Sequence, residues 1–157
     1  MISIEVEIED PAWSEALADP AGLALSAVEA ARIGGDATLA ILLTDDRSVR
    51  DLNLRFRGLD KATNVLSFAS AVGGHLGDVA LAFGVCMTEA TAQDKPLADH
   101  LRHLVIHGVL HLIGYDHQSD GEAERMEAIE VELLADLGIR DPYLNARDQE
   151  DHVQPGR

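Results

Sequence analysis

The sequence predicts an α+β fold in which a small mixed β-sheet is covered by helices, with a metal site at the end of one helix. The first strand is predicted from residues 2–8, where apolar and polar side chains alternate with the two-residue period of a half-exposed strand. Longer stretches carry helical spacing instead. Strands and helices follow one another in an uneven order, which favours an α+β layer arrangement.

The first half of the chain predicts two strands and two helices. A proline opens the first helical stretch, which is rich in alanine and ends at a pair of glycines. A threonine or an aspartate can cap the second helix, because its side chain accepts a hydrogen bond from an unpaired backbone N–H. The predicted elements are a strand at 2–8, a helix at 11–32, a strand at 37–43 and a helix from Thr44 or Asp45 to about Leu54.

The second half predicts two short strands followed by two helices. Leucines and a valine form one stripe of the first helix, which packs inward, and histidines form a neighbouring stripe. Glutamates dominate one face of the last helix, which we interpret as a solvated surface. The predicted elements are strands at 64–68 and 78–83, a helix that begins at Pro96 and carries His100, His103, His107 and His111, and a helix at about 121–137 that stops at Gly138.

The 157 residues predict one domain over 1–143, followed by a polar tail over 144–157 that frays. No apolar stretch approaches the ~20 residues that a membrane span needs, and the first residues do not resemble a signal peptide. The single cysteine, Cys86, excludes an internal disulfide and fits a reducing cytoplasm. Because it lies in an apolar run, we expect it to be a buried thiol.

The charge is strongly negative but unevenly distributed. A formal net charge of −16 argues against a nucleic-acid binder if it is treated as an average. However, 12 of the 28 acidic residues lie between positions 116 and 151, which leaves a positive patch elsewhere possible. For Arg47 and Arg50, an equal alternative to this patch is a solvated helix face. The basic residues of the patch are Arg47, Arg50, Arg55, Arg57 and Lys61.

The segment from His107 to His117 predicts a metal site. His107 and His111 are four residues apart, so both imidazoles leave the same face of a helix. Gly114 follows where a helix commonly ends in a left-handed turn, and that turn can bring back His117 as a third ligand. Three imidazoles with a fourth position open are typical of a catalytic zinc ion. The alternative is a helix whose histidines share this spacing by chance.

One residue of the corresponding peptidase motif is missing. The spacing matches the metalloprotease pattern H-E-x-x-H-x-x-G-x-x-H at every histidine and at the glycine. Its glutamate, which is the general base in those enzymes, is replaced by Gly108. A glycine cannot accept a proton. The pattern therefore predicts metal-assisted hydrolysis without the peptidase base.

Several segments together resemble the bacterial YbeY family. The most specific is H-G-x-L-H-L-x-G-Y-D-H, and the resemblance covers about residues 41–143. Two positions depart from the usual family pattern, with Asn64 in place of an aspartate and Ala69 in place of a proline. The segments that carry the resemblance are LNLRFRG from Leu52, TNVLSF from Thr63, LGDV from Leu76, the histidine segment from His107, EAERME from Glu122 and DPY from Asp141.

The resemblance implies a zinc-dependent endoribonuclease of the cytoplasm with an α+β fold. It implies ribosomal RNA as substrate, maturation of the 3′ end of the small-subunit RNA as the role, ribosome quality control, and the small ribosomal subunit or its proteins as partners. His107, His111 and His117 match the family's metal triad, with one Zn²⁺ per chain. Arg57 matches its functional arginine. Asn64 retains hydrogen bonding but lacks the negative charge of the family's aspartate, and an amide cannot act as a base as that carboxylate could.

The hypothesis is that this site cleaves phosphodiester bonds in single-stranded RNA. Zinc would activate a water molecule, or it would polarise a phosphoryl oxygen while the RNA's own 2′-hydroxyl attacks. Arg57 suits both routes, because a guanidinium stays charged and can bind phosphate through two hydrogen bonds. The alternative for Arg57 is a structural salt bridge to Asp60 or Asp51. The competing functions are a metal-dependent hydrolase of another substrate and a non-catalytic ribosome-assembly factor that zinc stabilises.

Four further residues lie in or near these segments, and each has a role that can be considered. Asp116 is a candidate to orient a liganding imidazole, and the alternative is a role in the helix end or turn. His103 is expected to pack in the core or to donate a hydrogen bond rather than to bind metal. Asp78 is left without an assigned role. His75 lies in the glycine loop, from which it could reach the cleft, but nothing in the sequence fixes its direction.

Overall fold

The computed structural model describes residues 2–144, which form a four-stranded mixed sheet and six helices. This architecture confirms the predicted α+β class. Residues 145–157, nearly all of the predicted tail, lie outside the described residues. In chain order the elements are β1 (Ser3–Ile8), α1 (Ala12–Ala16), α2 (Pro20–Ala30), β2 (Thr38–Thr44), α3 (Asp46–Arg57), β3 (Val65–Ala69), β4 (His75–Ala82), α4 (Phe83–Ala92), α5 (Leu97–Leu112) and α6 (Asp120–Asp136).

The sheet has the strand order β1-β2-β4-β3. Strand β2 pairs in parallel with both β1 and β4, while β3 pairs with β4 in antiparallel register, with Ser67 opposite Val79. Strand β3 is therefore an edge strand. In β1 the polar residues at positions 3, 5 and 7 are exposed and the apolar ones between them are partly buried, as the alternation predicted.

Each face of the sheet is covered by different helices, because successive strand residues point to opposite faces. Val79 and Leu81 of β4 face the main core, which includes residues of α2 and α5. Ala80 and Ala82 face a smaller core that includes Val49 of α3. Helix α5 carries nine buried residues, so it lies deep against the sheet and gives the site a rigid base.

The structure corrects several predicted boundaries and adds one helix. The predicted helix at 11–32 is two helices, because Pro20 lacks a backbone N–H and disfavours a helical residue before it. Asp19 caps the second helix by accepting a hydrogen bond from the backbone N–H of Gly22 at 3.1 Å. Helix α4 was not predicted. It begins at Phe83, directly after β4, so the predicted strand at 78–83 begins three residues too late and ends one residue too late.

Two further predictions concerned membrane-spanning segments and the burial of the cysteine. No helix among residues 2–144 has the length and apolarity to cross a bilayer. Cys86 is fully buried in α4, as expected, and burial raises the pKa of its thiol.

Candidate metal centre

Helix α5 and the loop after it bring three histidines together. His107 and His111 lie one turn apart near the end of α5, and His117 lies in the loop that leads to α6. Gly114 lies in that loop with a φ of 109°, a conformation that residues with a side chain rarely adopt. The predicted glycine turn is therefore present, and it returns the chain toward the helix.

The three imidazoles converge closely enough to hold one metal ion. One ring nitrogen from each histidine lies within 4.8 Å of the others. The three ring centroids form a triangle, with His111 4.8 Å from His107 and 4.9 Å from His117, and with His107 5.8 Å from His117. Neutral imidazoles bind zinc at three protein positions in catalytic sites, so this donor set fits the ion predicted from the sequence.

Burial favours the metal-binding protonation state of His111. Its pKa lies below the usual value because the ring is removed from water and because His107 and His117 lie beside it. A histidine that stays neutral at physiological pH keeps a lone pair available for a metal.

A buried carboxylate that sequence reasoning missed supports His107. Glu130 of α6 has 0% exposure, although the last helix was interpreted as presenting its glutamates to solvent. Its Oε1 lies 3.0 Å from Nδ1 of His107 and 3.0 Å from Nε2 of His103. Burial alone raises the pKa of this carboxyl, but hydrogen bonds from the two histidines and their electrostatic attraction together lower the pKa to about 2. Glu130 is therefore ionised.

Gly108, which occupies the glutamate position of the peptidase motif, packs against the sheet. A Cβ atom there would lie 2.7 Å from a methyl group of Val79 and 2.9 Å from the hydroxyl of Ser67. Ser67 also donates a hydrogen bond to the carbonyl of Gly108 at 2.9 Å. A glutamate would not fit without shifting the side chains of Val79 and Ser67, so packing disfavours the peptidase base at this position.

Arg57 lies at the last position of α3 and lines the same cleft as the three histidines. Helix α3 begins at a capping aspartate, as predicted, but runs three residues beyond the predicted end at Leu54 and stops at Gly58. The guanidinium donates a hydrogen bond to the carbonyl of Ser67 at 2.9 Å and lies 5.8 Å from the ring centre of Phe68.

Among the described residues, the salt bridge considered for Arg57 forms with neither Asp60 nor Asp51. Arg50 donates to the Asp60 carboxylate instead, with its Nε at 2.6 Å and its Nη2 at 3.3 Å. Asp60 is thus already paired, and the charge of Arg57 faces the cleft.

The cleft has a volume of about 700 Å³ and runs between β3 and the end of α5. Asn64, the residue that replaces the family's aspartate, lines it. The Asn64 amide donates to both oxygens of Glu89, at 3.0 and 3.4 Å, and its own oxygen accepts from the backbone N–H of Val65. An aspartate here would place a second carboxylate beside Glu89, so asparagine fits this neighbour.

The remaining sequence candidates have structural contacts. Asp116 accepts a hydrogen bond from the backbone N–H of His117 at 2.7 Å, which is the turn role. His103 donates to Glu130, as expected of a residue that does not belong to the three-histidine group. His75 contacts Thr38 and Asp78, and it does not line the cleft that was expected to be within its reach.

Comparison with known proteins adds to this geometry. A sequence model of the family described as "Endoribonuclease YbeY" matches residues 4–138. A protein named Endoribonuclease YbeY from Paramagnetospirillum magneticum is 52% identical, over 90% of this chain and 96% of its own length. The protein of the same name from Maricaulis maris is 51% identical, over 92% of this chain and 94% of its own.

A solved structure supports the fold independently. The solution structure of a protein from Thermotoga maritima covers 100% of this chain and 99% of its own, with a TM-score of 0.58. At 24% identity this likeness bears on the fold alone.

Fold and site together define a small α+β protein in which three histidines and an arginine line one cleft. The family match extends over most of the chain, and the relatives are about half identical to it. The chain belongs to the YbeY endoribonuclease family.

Proposed function

We propose that this protein is a zinc-dependent endoribonuclease of the cytoplasm that cleaves single-stranded ribosomal RNA. We place its action in 3′-end maturation of the small-subunit RNA and in ribosome quality control, with the small subunit or its proteins as partners. The observation that carries the proposal is the presence of Arg57 and three clustered histidines on the walls of one cleft. Membership of the family supplies the substrate class.

In this proposal His107, His111 and His117 hold one zinc ion, and Arg57 is the catalytic arginine. Bound zinc supplies a Lewis acid for the phosphodiester and lowers the pKa of water toward ~7. Arg57 binds the phosphate and stabilises the negative charge that builds on it, because its guanidinium stays charged. The hydrogen bond to the Ser67 carbonyl holds that guanidinium at the edge of the sheet while it remains exposed to the cleft.

The decisive experiment compares two arginines of one helix turn. Arg57 lines the cleft, whereas Arg55 is exposed and does not line it. We expect Arg57→Ala to lower the rate of cleavage of single-stranded RNA by about 10²–10³-fold, since losing one group that stabilises transition-state charge has this effect. Arg55→Ala is expected to retain activity to within a few-fold, and a chelator is expected to abolish it in the unchanged protein.

The outcomes of the same experiment separate the proposal from its alternatives. Equal activity of the two variants, or full activity with chelator, would contradict the proposed mechanism. A peptide or another substrate cleaved in preference to RNA would favour a different hydrolase.

The exposed acidic side chains of α6 favour a second candidate function, a non-catalytic assembly factor that binds a basic ribosomal protein. If cells that carry Arg57→Ala assemble ribosomes normally, that binding role gains the support.

A further inference from the structure

Glu130 has more contacts than a side chain that only fills the core requires. It is fully buried between α5 and α6, where an ionised carboxylate is costly unless hydrogen bonds compensate for the lost water. Both of its oxygens have partners. Oε1 accepts from His103 and His107, each at 3.0 Å, and Oε2 accepts from the hydroxyl of Tyr143 at 2.9 Å.

We propose that Glu130 is a positioning residue for His107, fixing the hydrogen of that ring on Nδ1 so that Nε2 presents its lone pair to the metal. The proposal rests on the proposed zinc site. A carboxylate that accepts from Nδ1 requires a hydrogen on that nitrogen, and a neutral imidazole carries only one. Nε2 is then the free ligand atom of His107.

The contacts on the other side of Glu130 hold its carboxylate in place. His103 lies one turn before His107 on α5, so the two rings approach the same oxygen from neighbouring turns. The Tyr143 hydroxyl fixes the second oxygen and also lies 3.2 Å from Nε2 of His103. Because both oxygens are held, the carboxylate cannot rotate away from His107 without breaking these bonds.

His107 is the member of the histidine group with such a partner. Within residues 2–144, the rings of His111 and His117 have no hydrogen bond. Hydrogen bonds from metal-bound imidazoles to carboxylates orient the ring and strengthen it as a ligand, and their loss typically weakens metal binding 10–100-fold. Glu130 is thus expected to determine a large part of the zinc affinity.

The same helix offers a matched control. Nε2 of His100 contacts a carboxylate oxygen of Glu89 at 2.9 Å, but His100 is not a member of the three-histidine group. Substitution of Glu89 therefore removes a hydrogen bond to an α5 histidine and releases the Asn64 amide, but it leaves the Nδ1 contact of His107 in place. We compare Glu130→Met and Glu130→Gln with Glu89→Met.

The experiment has two measurements, each made on the folded protein. Ring-nitrogen chemical shifts of the zinc-free chain report which nitrogen of His107 carries the hydrogen. Competition with a chromogenic chelator gives the dissociation constant for zinc. We expect Nδ1–H on His107 in the unchanged protein and in Glu89→Met, and a shift toward Nε2–H in Glu130→Met. Zinc binding should weaken about 10–100-fold in Glu130→Met and by a smaller factor in Glu130→Gln, which keeps an oxygen acceptor.

Two results would overturn the inference. One is a Glu130→Met protein that keeps Nδ1–H on His107 and the original zinc affinity. The other is an equal loss of affinity in Glu89→Met, which would make the effect a general loss of packing. If the unchanged protein takes up no zinc, the proposed function fails, while the ring-nitrogen measurement still tests the role of Glu130.

Discussion

Individual residues reach the cleft by different local means. His107 and His111 depend on helical spacing alone, whereas His117 depends on the positive φ of Gly114. Arg57 is presented by the end of a helix at Gly58, whose φ of 70° ends α3 where the arginine meets the edge strand. The histidine positions follow from neighbouring residues in the sequence, which is why they could be predicted from spacing. Arg57 was expected from the family resemblance instead, because its helix was predicted to end at Leu54.

Removal of one imidazole tests the metal site at the scale of a residue. We expect the purified protein to hold about one zinc per chain, and His111→Ala to lose it on dialysis, since two imidazoles leave too few protein ligands. Elemental analysis gives the zinc content directly. His75→Ala is the matched control, because His75 lies outside the cleft. Undiminished zinc in His111→Ala would contradict the site.

The role of Glu130 was not predicted from the sequence. In the sequence it is one of many acidic residues on the last helix. Its one local signal is its spacing, four residues after Met126 and four before Leu134, which places it on the buried stripe of the helix. Its burial depends on His103, His107 and Tyr143, which meet it only when the helices pack. Three converging donors are a tertiary property, so neither spacing nor composition indicated them.

At the scale of the elements, strong local signals predicted the helices and strands correctly, whereas weak signals did not. The alternation in β1 and the cap of α3 at Asp45 located both elements to within a few residues. Helix α4 follows β4 without a glycine or proline between them, so the apolar run of the strand continued into the helix and hid its start.

Close packing of α5 on the sheet makes Gly108 sensitive to a single added carbon. We expect Gly108→Ala to lower the free energy of unfolding by about 1–2 kcal/mol. Overpacking costs about 1–3 kcal/mol, and alanine's better helix propensity returns up to about 1 kcal/mol of it. Urea denaturation measures the change.

Gly121→Ala is the control for that helix effect, because a Cβ on Gly121 in α6 would meet nothing within 4 Å. That change is expected to be neutral or stabilising. If Gly108→Ala were as stable as Gly121→Ala, the close approach of α5 to β4 would be contradicted.

For the whole molecule, stability is expected to depend on pH through His100. Its side chain is 4% exposed, and burial lowers its pKa below the value of 6.5 that it has in an unfolded chain. Its Nδ1 is buried without a partner, so a proton there would gain no hydrogen bond. Below pH 6.5 the His100 side chain therefore takes up a proton in the unfolded state but not in the folded state. The contribution of His100 to the free energy of unfolding is present above pH 6.5 and is lost as the pH falls below it.

Urea denaturation between pH 7.5 and 5.5, with chelator present, tests this dependence. The unchanged protein is expected to lose free energy of unfolding toward acid, and His100→Gln to lose less, by up to about 1.4 kcal/mol per pH unit. Glu130 affects stability in a different pH range. Folding lowers the pKa of its carboxyl from 4.5 to about 2, so its contribution to the free energy of unfolding is lost only as the pH falls through that range. Equal slopes for His100→Gln and His75→Gln would refute the role of His100.

The position of β3 at the edge of the sheet has a consequence for how activity should be interpreted. Arg57 and the histidines belong to segments on either side of this strand, and Ser67 contacts both Arg57 and Gly108. If the outer strand detaches while the remaining sheet stays folded, guanidinium and imidazoles separate before most spectroscopic signals change. Turnover of RNA would then serve as a sensor of partial unfolding, declining ahead of the circular dichroism melt.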